Sequence, residues 1–369
     1  KRVWEGVMGI KIISTGSHTS DEILDNFMLS EMVDTNNEWI VERTGINTRH
    51  ISRNETTEEI AFNAAKKTLE QSGIDKNEIG IIVFASISSD SLVPSSAHTI
   101  AGRLGIGECF CFDLNAACSG FIYSIAVVES LMKTMNIRYG LVIGAERLSK
   151  YVDWEDRSTC ILFGDGAGCA LLENEEIRLE KSKIISEYCE KTRAETFVDS
   201  ECCTDSIKQK AENKCFGLEI VGSFVSGRYD EKKYLSVKSR DSYDLENDTF
   251  SDYIKMNGRQ IYKFATDVGI RVIDRLLMNS NISKDDVVGI IPHQANRRIV
   301  ETLSEKSEIE IDKWFMNLDK YGNTSAASVP IALDEFVREF DLESNKGQYI
   351  ISLAFGGGLT FGGTLFKIC

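Results

Sequence analysis

The 369-residue sequence lacks several features that would assign it to particular classes of protein. It has only three prolines and no low-complexity tract, which argues against a disordered chain. No apolar run approaches the roughly 20 residues of a membrane-spanning helix, and residues 1–8 lack the apolar core of a signal peptide. We therefore expect a soluble, cytoplasmic, globular protein that does not bind a membrane.

An excess of positive charge is also missing. The formal net charge of -15 disfavours binding to nucleic acid by bulk electrostatics. The ten cysteines form no Cys-x-x-Cys pair and do not combine with the four histidines at metal-ligand spacing. We therefore expect neither a nucleic-acid partner nor a metal site.

The chain contains two similar halves. The helix, turn and strand pattern of residues 69–82 recurs at residues 277–291, and the glycine-rich segment 163–172 is echoed at 355–366. Such a repeat indicates an internal duplication, and its alternating strands and helices predict a layered α/β fold with mainly parallel sheets. We assign residues 8–173 to the N-terminal half, residues 174–216 to an insertion and residues 217–369 to the C-terminal half. Within the insertion, Cys202 and Cys203 are read as part of a solvated loop, with a redox or metal-binding pair as the alternative.

Cys118 is the most informative single residue. It lies in Asn-Ala-Ala-Cys-Ser-Gly-Phe, where an apolar strand leads into a helical pattern. The unpaired N–H groups and the positive dipole end of a helix start favour a thiolate over a thiol. This position predicts a nucleophile, although a cysteine at a helix start can also be purely structural.

Two later loops supply matching chemistry. His293 lies in Pro-His-Gln-Ala-Asn and Asn323 in Tyr-Gly-Asn-Thr-Ser, each just after an apolar strand or at the start of a helical pattern. Because duplicated halves place equivalent loops face to face, we expect these side chains to meet Cys118. A thiol, an imidazole and a carboxamide are the parts needed to form and use a thioester.

The glycine-rich segments differ in what they predict. Gly164, Gly166 and Gly168 lead into an apolar strand and not into a phosphate-binding helix, so we do not expect a dinucleotide loop. The three glycines 356–358 can bring a backbone N–H close to another backbone, as an oxyanion hole requires. A tight turn is the structural alternative for that segment.

Taken together with the segment 34–46, Asp-Thr-Asn-Asn-Glu-Trp-Ile-Val-Glu-Arg-Thr-Gly-Ile, these motifs resemble 3-oxoacyl-[acyl-carrier-protein] synthase III over nearly the whole chain. The resemblance implies a thiolase fold, an internally duplicated αβαβα layered sandwich, and a homodimer. It implies a decarboxylative condensation of an acyl-CoA primer with malonyl-acyl-carrier protein, which gives 3-oxoacyl-acyl-carrier protein and starts fatty-acid synthesis. No cofactor is implied, because acyl-CoA is a substrate.

The resemblance also implies residue roles. Cys118 takes the acyl group, His293 and Asn323 donate hydrogen bonds to the malonyl thioester oxygen, and the N–H groups of Cys118 and Gly357 hold the oxyanion. The implied CoA contacts are Thr35, Trp39, Arg43, Arg157 and Asn296. The implied acyl pocket includes Val93 and Phe355, and the implied carrier-protein contacts are Arg259, Lys263 and Arg298.

Three departures from the family pattern widen the possible functions. Glu305 replaces one of two adjacent basic residues near the carrier contact, Val93 stands where an aromatic residue is common, and Phe361 replaces a common tryptophan. Loss of aromatic walls predicts tolerance of primers longer than acetyl. The alternatives are a related condensing or acyl-transfer enzyme of secondary metabolism with another acceptor, and a non-catalytic relative that binds acyl-CoA.

Overall fold

The structure is a computed structural model that describes residues 9–178, 216–237, 243–244, 249–250 and 253–369. Its strands are β1 (Ile10–His18), β2 (Ile23–Asp25), β3 (Thr48–His50), β4 (Ile79–Ala85), β5 (Phe110–Leu114), β6 (Tyr139–Arg147), β7 (Asp165–Asn174), β8 (Leu218–Gly227), β9 (Leu235–Ser236), β10 (Tyr243–Asp244), β11 (Thr249–Phe250), β12 (Lys255–Met256), β13 (Val287–Pro292), β14 (Tyr349–Gly356) and β15 (Thr360–Ile368). Its helices are α1 (Asn26–Met32), α2 (Asn37–Thr44), α3 (Thr57–Ser72), α4 (Ser96–Leu104), α5 (Gly120–Thr134), α6 (Gly258–Ser280), α7 (Arg297–Ser307), α8 (Leu318–Tyr321) and α9 (Ser328–Glu339). Most of the predicted insertion, with Cys202 and Cys203, lies outside the described residues.

Nine strands form one sheet in the order β13-β14-β15-β8-β1-β7-β6-β4-β5. The strands β1 and β8 pair at its centre, where Lys11 lies opposite Glu219 and Ile12 opposite Leu218. On each side of this junction the order is equivalent, since β1, β7, β6 and β4 correspond to β8, β15, β14 and β13. In both sets the outer pair is parallel and the inner pairs are antiparallel.

The expectation of mainly parallel sheets is therefore wrong. Parallel pairing is confined to β4 with β5, β4 with β6, and β13 with β14 within the described sheet. A parallel connection needs a crossover helix, whereas antiparallel neighbours can be joined by a short link. Between β14 and β15 the chain makes only the 3-10 turn Gly357–Leu359, which forces these strands to run antiparallel.

The helices and the two sets of strands pack through apolar side chains into five layers. Phe121 and Ile125 of α5 and Leu333 of α9 are buried in a central cluster with strand residues from both halves. A second cluster packs α3 and α4 against β4, β6 and β7, and a third packs α6 and α7 against β13, β14 and β15. Each fully buried large apolar side chain contributes about 1.5–3 kcal/mol. Helices thus lie outside and between the two sets of strands.

The repeated helix, turn and strand pattern is confirmed. The helix α3 ends at Gly73 and α6 at Asn281, both in the left-handed conformation, with φ of 63° and 55°. A short 3-10 turn follows each helix, capped by the side chain of Asp75 or Ser283, and leads into β4 or β13. None of the described helices combines the length and apolarity needed to cross a bilayer.

Candidate active site

Cys118 lies in the 3-10 turn Ala117–Ser119, between β5 and the central helix α5. The turn is sharp because Ala117 adopts a left-handed conformation with φ of 47°, and the Asn115 side chain accepts a hydrogen bond from its N–H at 3.2 Å. A Cβ atom on Gly120 would lie 3.0 Å from the Cβ of Ala85, so glycine lets α5 start close to β4. The Cys118 side chain is thereby buried at the amino end of α5.

The Cys118 thiol differs from the expectation of a thiolate at rest. Burial raises the pKa of Cys118 to about 12, a hydrogen bond with the Ser325 hydroxyl acts in the opposite sense, and the negative charge of Glu146 raises it further. Desolvation outweighs the favourable position at the helix start because it penalises the charged form directly. The resting sulfur therefore carries its proton at neutral pH, and that proton needs an acceptor.

His293 follows directly after β13 and is 2% exposed. Its backbone N–H donates to the carbonyl of Leu353 at 2.8 Å, and its Nδ1 lies 2.6 Å from the Ser328 hydroxyl oxygen. The ring meets that of Phe355 edge to face, with 5.4 Å between centroids. Burial lowers the pKa of His293 to about 3, so the imidazole is neutral. When Ser328 donates to Nδ1, the hydrogen lies on Nε2, which can then donate to a ligand.

Asn323 is fixed by three hydrogen bonds. Its N–H donates to the Leu162 carbonyl at 2.8 Å, its carbonyl accepts from the N–H of Gly164 at 3.1 Å, and its Oδ1 accepts from the N–H of Ser325 at 2.9 Å. With Oδ1 engaged, the amide is oriented and Nδ2 has no hydrogen-bond partner within the described part of the chain. The side chain can therefore offer an N–H donor of fixed direction.

The contacts bring the three predicted residues to one point. A Cβ atom on Gly356 would lie 2.7 Å from the backbone nitrogen of Cys118, so the end of β14 abuts the nucleophile. Phe355, the preceding residue, contacts His293. Ser325, two residues after Asn323, donates its N–H to Asn323 Oδ1, and its hydroxyl acts to lower the pKa of the Cys118 thiol. The use of the Gly357 N–H as an oxyanion donor stays a prediction.

Glu146 is a further charged residue at this site, and sequence reasoning missed it. It lies on β6 with no exposed surface, and it accepts hydrogen bonds from Ser86 Oγ at 3.1 Å, Ser88 Oγ at 2.6 Å and Ser325 Oγ at 3.2 Å. The N–H of Ile87 donates to it as well, at 3.2 Å. Burial raises the pKa of Glu146 to about 7. The available signal was a lone carboxylate near the end of an apolar strand, Tyr139–Arg147.

The residues implied for CoA binding lie together around α2. The guanidinium groups of Arg43 and Arg157 lie 4.9 and 5.0 Å from the centroid of the Trp39 ring. The Asn296 amide donates to the Arg43 carbonyl at 2.9 Å, which joins the start of α7 to the end of α2. The Thr35 hydroxyl oxygen is buried and has no hydrogen-bond partner within the described residues.

The implied acyl-pocket residues differ in position. Phe355 is buried beside His293, whereas Val93 lies on a loop and is 88% exposed. Phe361, whose substitution suggested a wider pocket, packs against Phe224 and Phe264 with centroid distances of 6.3 and 6.0 Å. The roles of Val93 and Phe355 toward an acyl group stay predictions.

The implied carrier-protein contacts are exposed on two adjoining helices. Arg259 and Lys263 lie on the first turns of α6, and Arg298 lies on the first turn of α7. The Tyr262 hydroxyl lies 2.6 Å from the hydroxyl oxygen of Thr302 and links the two helices. This arrangement places the three cations on neighbouring surface segments.

Comparison with known proteins identifies the family. The family model described as 3-oxoacyl-[acyl-carrier-protein (ACP)] synthase III matches residues 112–191, and the model of its C-terminal part matches residues 277–368. Beta-ketoacyl-[acyl-carrier-protein] synthase III of Clostridium beijerinckii is 39% identical over 358 residues, which cover 97% of this chain and 99% of that protein. The chain belongs to the 3-oxoacyl-[acyl-carrier-protein] synthase III family.

Other members of the synthase III family agree with this assignment. The enzyme of Clostridium botulinum strain 657 is 40% identical over 354 residues, 96% of this chain and 97% of its own length. The crystal structure of the synthase III from Aquifex aeolicus VF5 aligns with a TM-score of 0.79 at 35% identity, covering 97% of this chain and 100% of that one. The predicted thiolase fold is thus confirmed for this synthase III chain.

Proposed function

We propose that this chain condenses an acyl-CoA primer with malonyl-acyl-carrier protein, with loss of CO2, to give 3-oxoacyl-acyl-carrier protein at the start of fatty-acid synthesis. The observation that carries the proposal is the convergence of a buried thiol, a neutral imidazole and an oriented carboxamide in a member of this family. The Cys118 thiol is the only one of the three that can form a stable thioester.

Acylation is the first step. The Cys118 sulfur attacks the carbonyl carbon of acyl-CoA, a bond from Sγ to carbon forms, and the bond from carbon to the CoA sulfur breaks. The N–H groups of Cys118 and Gly357 hold the oxyanion of the tetrahedral intermediate. Removal of one such donor in other enzymes costs roughly 10²–10³ in kcat.

Decarboxylation and condensation follow. When malonyl-acyl-carrier protein loses CO2, the electron pair moves into an enolate whose oxygen accepts hydrogen bonds from His293 Nε2 and Asn323 Nδ2. A neutral imidazole suits this role because it donates without leaving an uncompensated buried cation. The carbanion then attacks the acyl-Cys118 carbonyl, and the Cys118 thiolate leaves. The low-dielectric surroundings strengthen both hydrogen bonds.

Substrate docking uses the remaining predicted residues. Trp39 and Arg157 present an aromatic face and a planar guanidinium to the adenine of CoA, with Thr35, Arg43 and Asn296 beside them. Arg259, Lys263 and Arg298 attract the acidic carrier protein. Val93 and Phe355 border the acyl group. We further propose that the chain works in the cytoplasm as a homodimer.

The experiment separates the two half-reactions. The protein is incubated with radiolabelled acetyl-CoA, and alkali-labile label is sought on the peptide that contains Cys118; malonyl-acyl-carrier protein is then added, and CO2 and the product mass are measured. We expect label on Cys118, CO2 release and a 3-oxoacyl product. Cys118→Ser should lose the label, whereas Cys160→Ala, at a buried cysteine outside the site, should keep it. Absence of label from the wild-type protein, or label without CO2 release, would contradict the proposal.

A further inference from the structure

The side chain of Glu335 joins two points of the segment that leads to Asn323. Its Oε2 accepts a hydrogen bond from Asn317 Nδ2 at 2.9 Å, and its Oε1 accepts from the Tyr321 hydroxyl at 2.6 Å. Lys320 Nζ lies 3.7 Å from Oε2. The two hydrogen-bonded residues flank the short helix α8, since Asn317 precedes it and Tyr321 ends it. One carboxylate therefore holds both ends of the turn that precedes Asn323.

The turn transmits this restraint to Asn323. The N–H of Tyr321 donates to the Asn317 carbonyl at 3.3 Å, so backbone bonds close the turn as well. Gly322 has a φ of 66°, and a Cβ atom on it would lie 2.8 Å from the carbonyl oxygen of Leu162. The same carbonyl accepts from the Asn323 N–H. Asn323 thus follows Tyr321 after a single residue of fixed conformation, and a shift of Tyr321 would move the Asn323 side chain.

The backbone beside His293 is tied to the same turn. Gln294, the next residue, is 1% exposed, and its Oε1 accepts from the Asn317 N–H at 3.0 Å. Its Nε2 donates to the carbonyls of Pro292 and Phe315 at 2.8 and 3.1 Å. Both ends of the buried amide are therefore engaged. The backbone that carries His293 and the start of α8 consequently keep a fixed separation.

The helix α9 completes the link between the two predicted donors. Its first residue is Ser328, whose Oγ lies 2.6 Å from His293 Nδ1. Glu335 lies seven residues later, and residues at this spacing share one face of an α-helix. This face thus holds the His293 ring at its amino end and the turn before Asn323 two turns further on. One helix therefore relates the positions of the two side chains.

We propose that Glu335 is a positioning residue that sets the separation between His293 Nε2 and Asn323 Nδ2. This inference rests on the proposed role of those two atoms as donors to the malonyl thioester oxygen. Because a hydrogen bond weakens steeply when it is misaligned, an enolate oxygen shared by two donors is sensitive to their separation. The restraint serves decarboxylation and not acylation, since the bonds of Glu335 reach α8 and not the turn Ala117–Ser119.

The test measures CO2 release in a single turnover of the acyl-enzyme. Protein acetylated on Cys118 is freed of excess acetyl-CoA and mixed with malonyl-acyl-carrier protein, and the rate constant of CO2 release is determined over a range of carrier-protein concentrations. This rate constant does not depend on the fraction of protein that is folded, because only acylated molecules contribute to it. A loss of stability alone therefore leaves it unchanged.

Tyr321→Phe is the principal variant, because it loses the bond to Glu335 and keeps the ring that stacks on His50 with 5.3 Å between centroids. We expect the maximal rate constant to fall about tenfold or more, since a displacement of about 1 Å can cost roughly 10²-fold. The carrier-protein concentration that gives half the maximal rate should not change, because the donors act on charge that develops in the transition state. Acylation of Cys118 by acetyl-CoA should also be retained.

Tyr139→Phe is the matched control, because the Tyr139 hydroxyl donates to Glu173 Oε1 at 3.1 Å in the same kind of bond, between β6 and β7. It should leave the rate constant unchanged. Glu335→Gln should retain more of the rate constant than Glu335→Leu. The amide oxygen can still accept from Tyr321, and the Asn317 amide can rotate to accept from the amide nitrogen.

A double substitution tests the route through Asn323. In Asn323→Asp the Nδ2 donor is already absent, so adding Tyr321→Phe should lower the rate constant much less than it does in the wild-type background. Equal effects in the two backgrounds would overturn the proposal, as would a rate constant of Tyr321→Phe equal to that of Tyr139→Phe. CO2 release by the wild-type protein is measured separately, so failure of the proposed function and failure of this inference give different results.

Discussion

Ala117 and Ser325 adopt the same left-handed backbone conformation, with φ of 47° and 49°, at equivalent places in the two halves. Each residue begins a three-residue 3-10 turn that leads into a central helix, α5 or α9. A left-handed conformation costs a non-glycine residue roughly 1–2 kcal/mol. Its presence in both turns indicates that the path of the chain into each central helix requires this conformation. The two copies of the turn therefore share a backbone conformation but carry different side chains, the Cys118 thiol in the first turn and the Ser325 hydroxyl in the second.

Replacement of Asn323 by aspartate should separate the two half-reactions. The carboxylate would keep an oxygen to accept from the N–H of Ser325, but it would lack the Nδ2 donor and would place a negative charge beside the developing enolate. We expect Asn323→Asp to lower CO2 release from malonyl-acyl-carrier protein by roughly 10²–10³-fold, the cost of one lost donor. Cys118 acylation by acetyl-CoA should be largely retained. Radiolabelled CO2 and the mass of the acyl-enzyme measure the two steps.

The control is Asn281→Asp, which introduces the same charge at the exposed turn after α6. It should leave both steps unchanged. Equal losses of acylation and decarboxylation in Asn323→Asp would show that the side chain serves the loop and not the enolate.

His293 should make the stability of the protein depend on pH. The pKa of an unfolded histidine is about 6.5, whereas burial lowers that of His293 to about 3. Between these values the unfolded chain binds a proton that the folded chain does not, so the contribution favours folding above pH 6.5 and is lost as the pH falls toward 3. At pH 5 the loss amounts to about 2 kcal/mol, since each pH unit corresponds to about 1.4 kcal/mol.

Urea unfolding of the wild type and of His293→Asn at pH 7.5 and pH 5 measures this contribution. The wild type should lose about 2 kcal/mol more than the variant over this interval. Other titrating groups, including Glu146, are common to both proteins and cancel in the difference. An equal loss in the two proteins would mean that His293 is accessible to protons in the folded state.

Local patterns in the sequence were sufficient to locate Cys118, His293 and Asn323. Each follows a strand or precedes a helix, and strand ends can be read from hydrophobic periodicity. Quantities that depend on burial could not be read in this way. The pKa of Cys118 rises because the whole fold removes water from the sulfur, which outweighs the effect of the helix start. Glu146 could not be identified from the sequence because the hydrogen bond between Ser325 and Glu146 joins two segments that are far apart in sequence.

Strand direction was another quantity that the sequence did not determine. The pattern of alternating strands and helices suggested parallel pairing, yet β7 returns antiparallel to β6. Hydrophobic periodicity gives the location of a strand but not the side from which the chain re-enters the sheet. The direction follows from the connecting segment, whose geometry is set by contacts with the other half.

Gly144 should tolerate no side chain. It lies on β6, where a Cβ atom would overlap the carbonyl oxygen of Ala326 and lie 3.2 Å from Pro330. Because the obstacle is backbone, rotation of a side chain cannot relieve the overlap. We expect Gly144→Ala to lower the free energy of unfolding by about 1–3 kcal/mol, typical of overpacked cores.

Gly102 provides the matched control for Gly144. It lies inside α4, and a Cβ atom there would meet no atom within 4 Å. Gly102→Ala should raise the free energy of unfolding by about 0.5–1 kcal/mol through helix propensity. Urea denaturation compares the two variants. Similar stability of Gly144→Ala and the wild type would show that the 3-10 turn Ser325–Ala327 can move away from β6.

Arg49 should be essential for the loop that holds Asn323. It is fully buried and donates to the Leu24 carbonyl at 3.2 Å, to Asn26 Oδ1 at 2.9 Å and to the Ile161 carbonyl at 2.7 Å. The adjoining carbonyl of Leu162 accepts from the Asn323 N–H. Arg49→Met would leave buried acceptors without donors, each at a cost of about 1–3 kcal/mol. We therefore expect a large fall in the free energy of unfolding together with reduced CO2 release.

The arginine at 53 allows a matched comparison, because its side chain and that of its ion-pair partner Glu22 are both exposed. Exposed ion pairs contribute about 0–1 kcal/mol, so Arg53→Met should shift the urea midpoint only slightly. Arg49→Lys should fall between the wild type and Arg49→Met, since one ammonium group cannot reach three acceptors that a planar guanidinium spans. If Arg49→Met unfolds at the same urea concentration as Arg53→Met, the buried guanidinium does not stabilise the Asn323 loop.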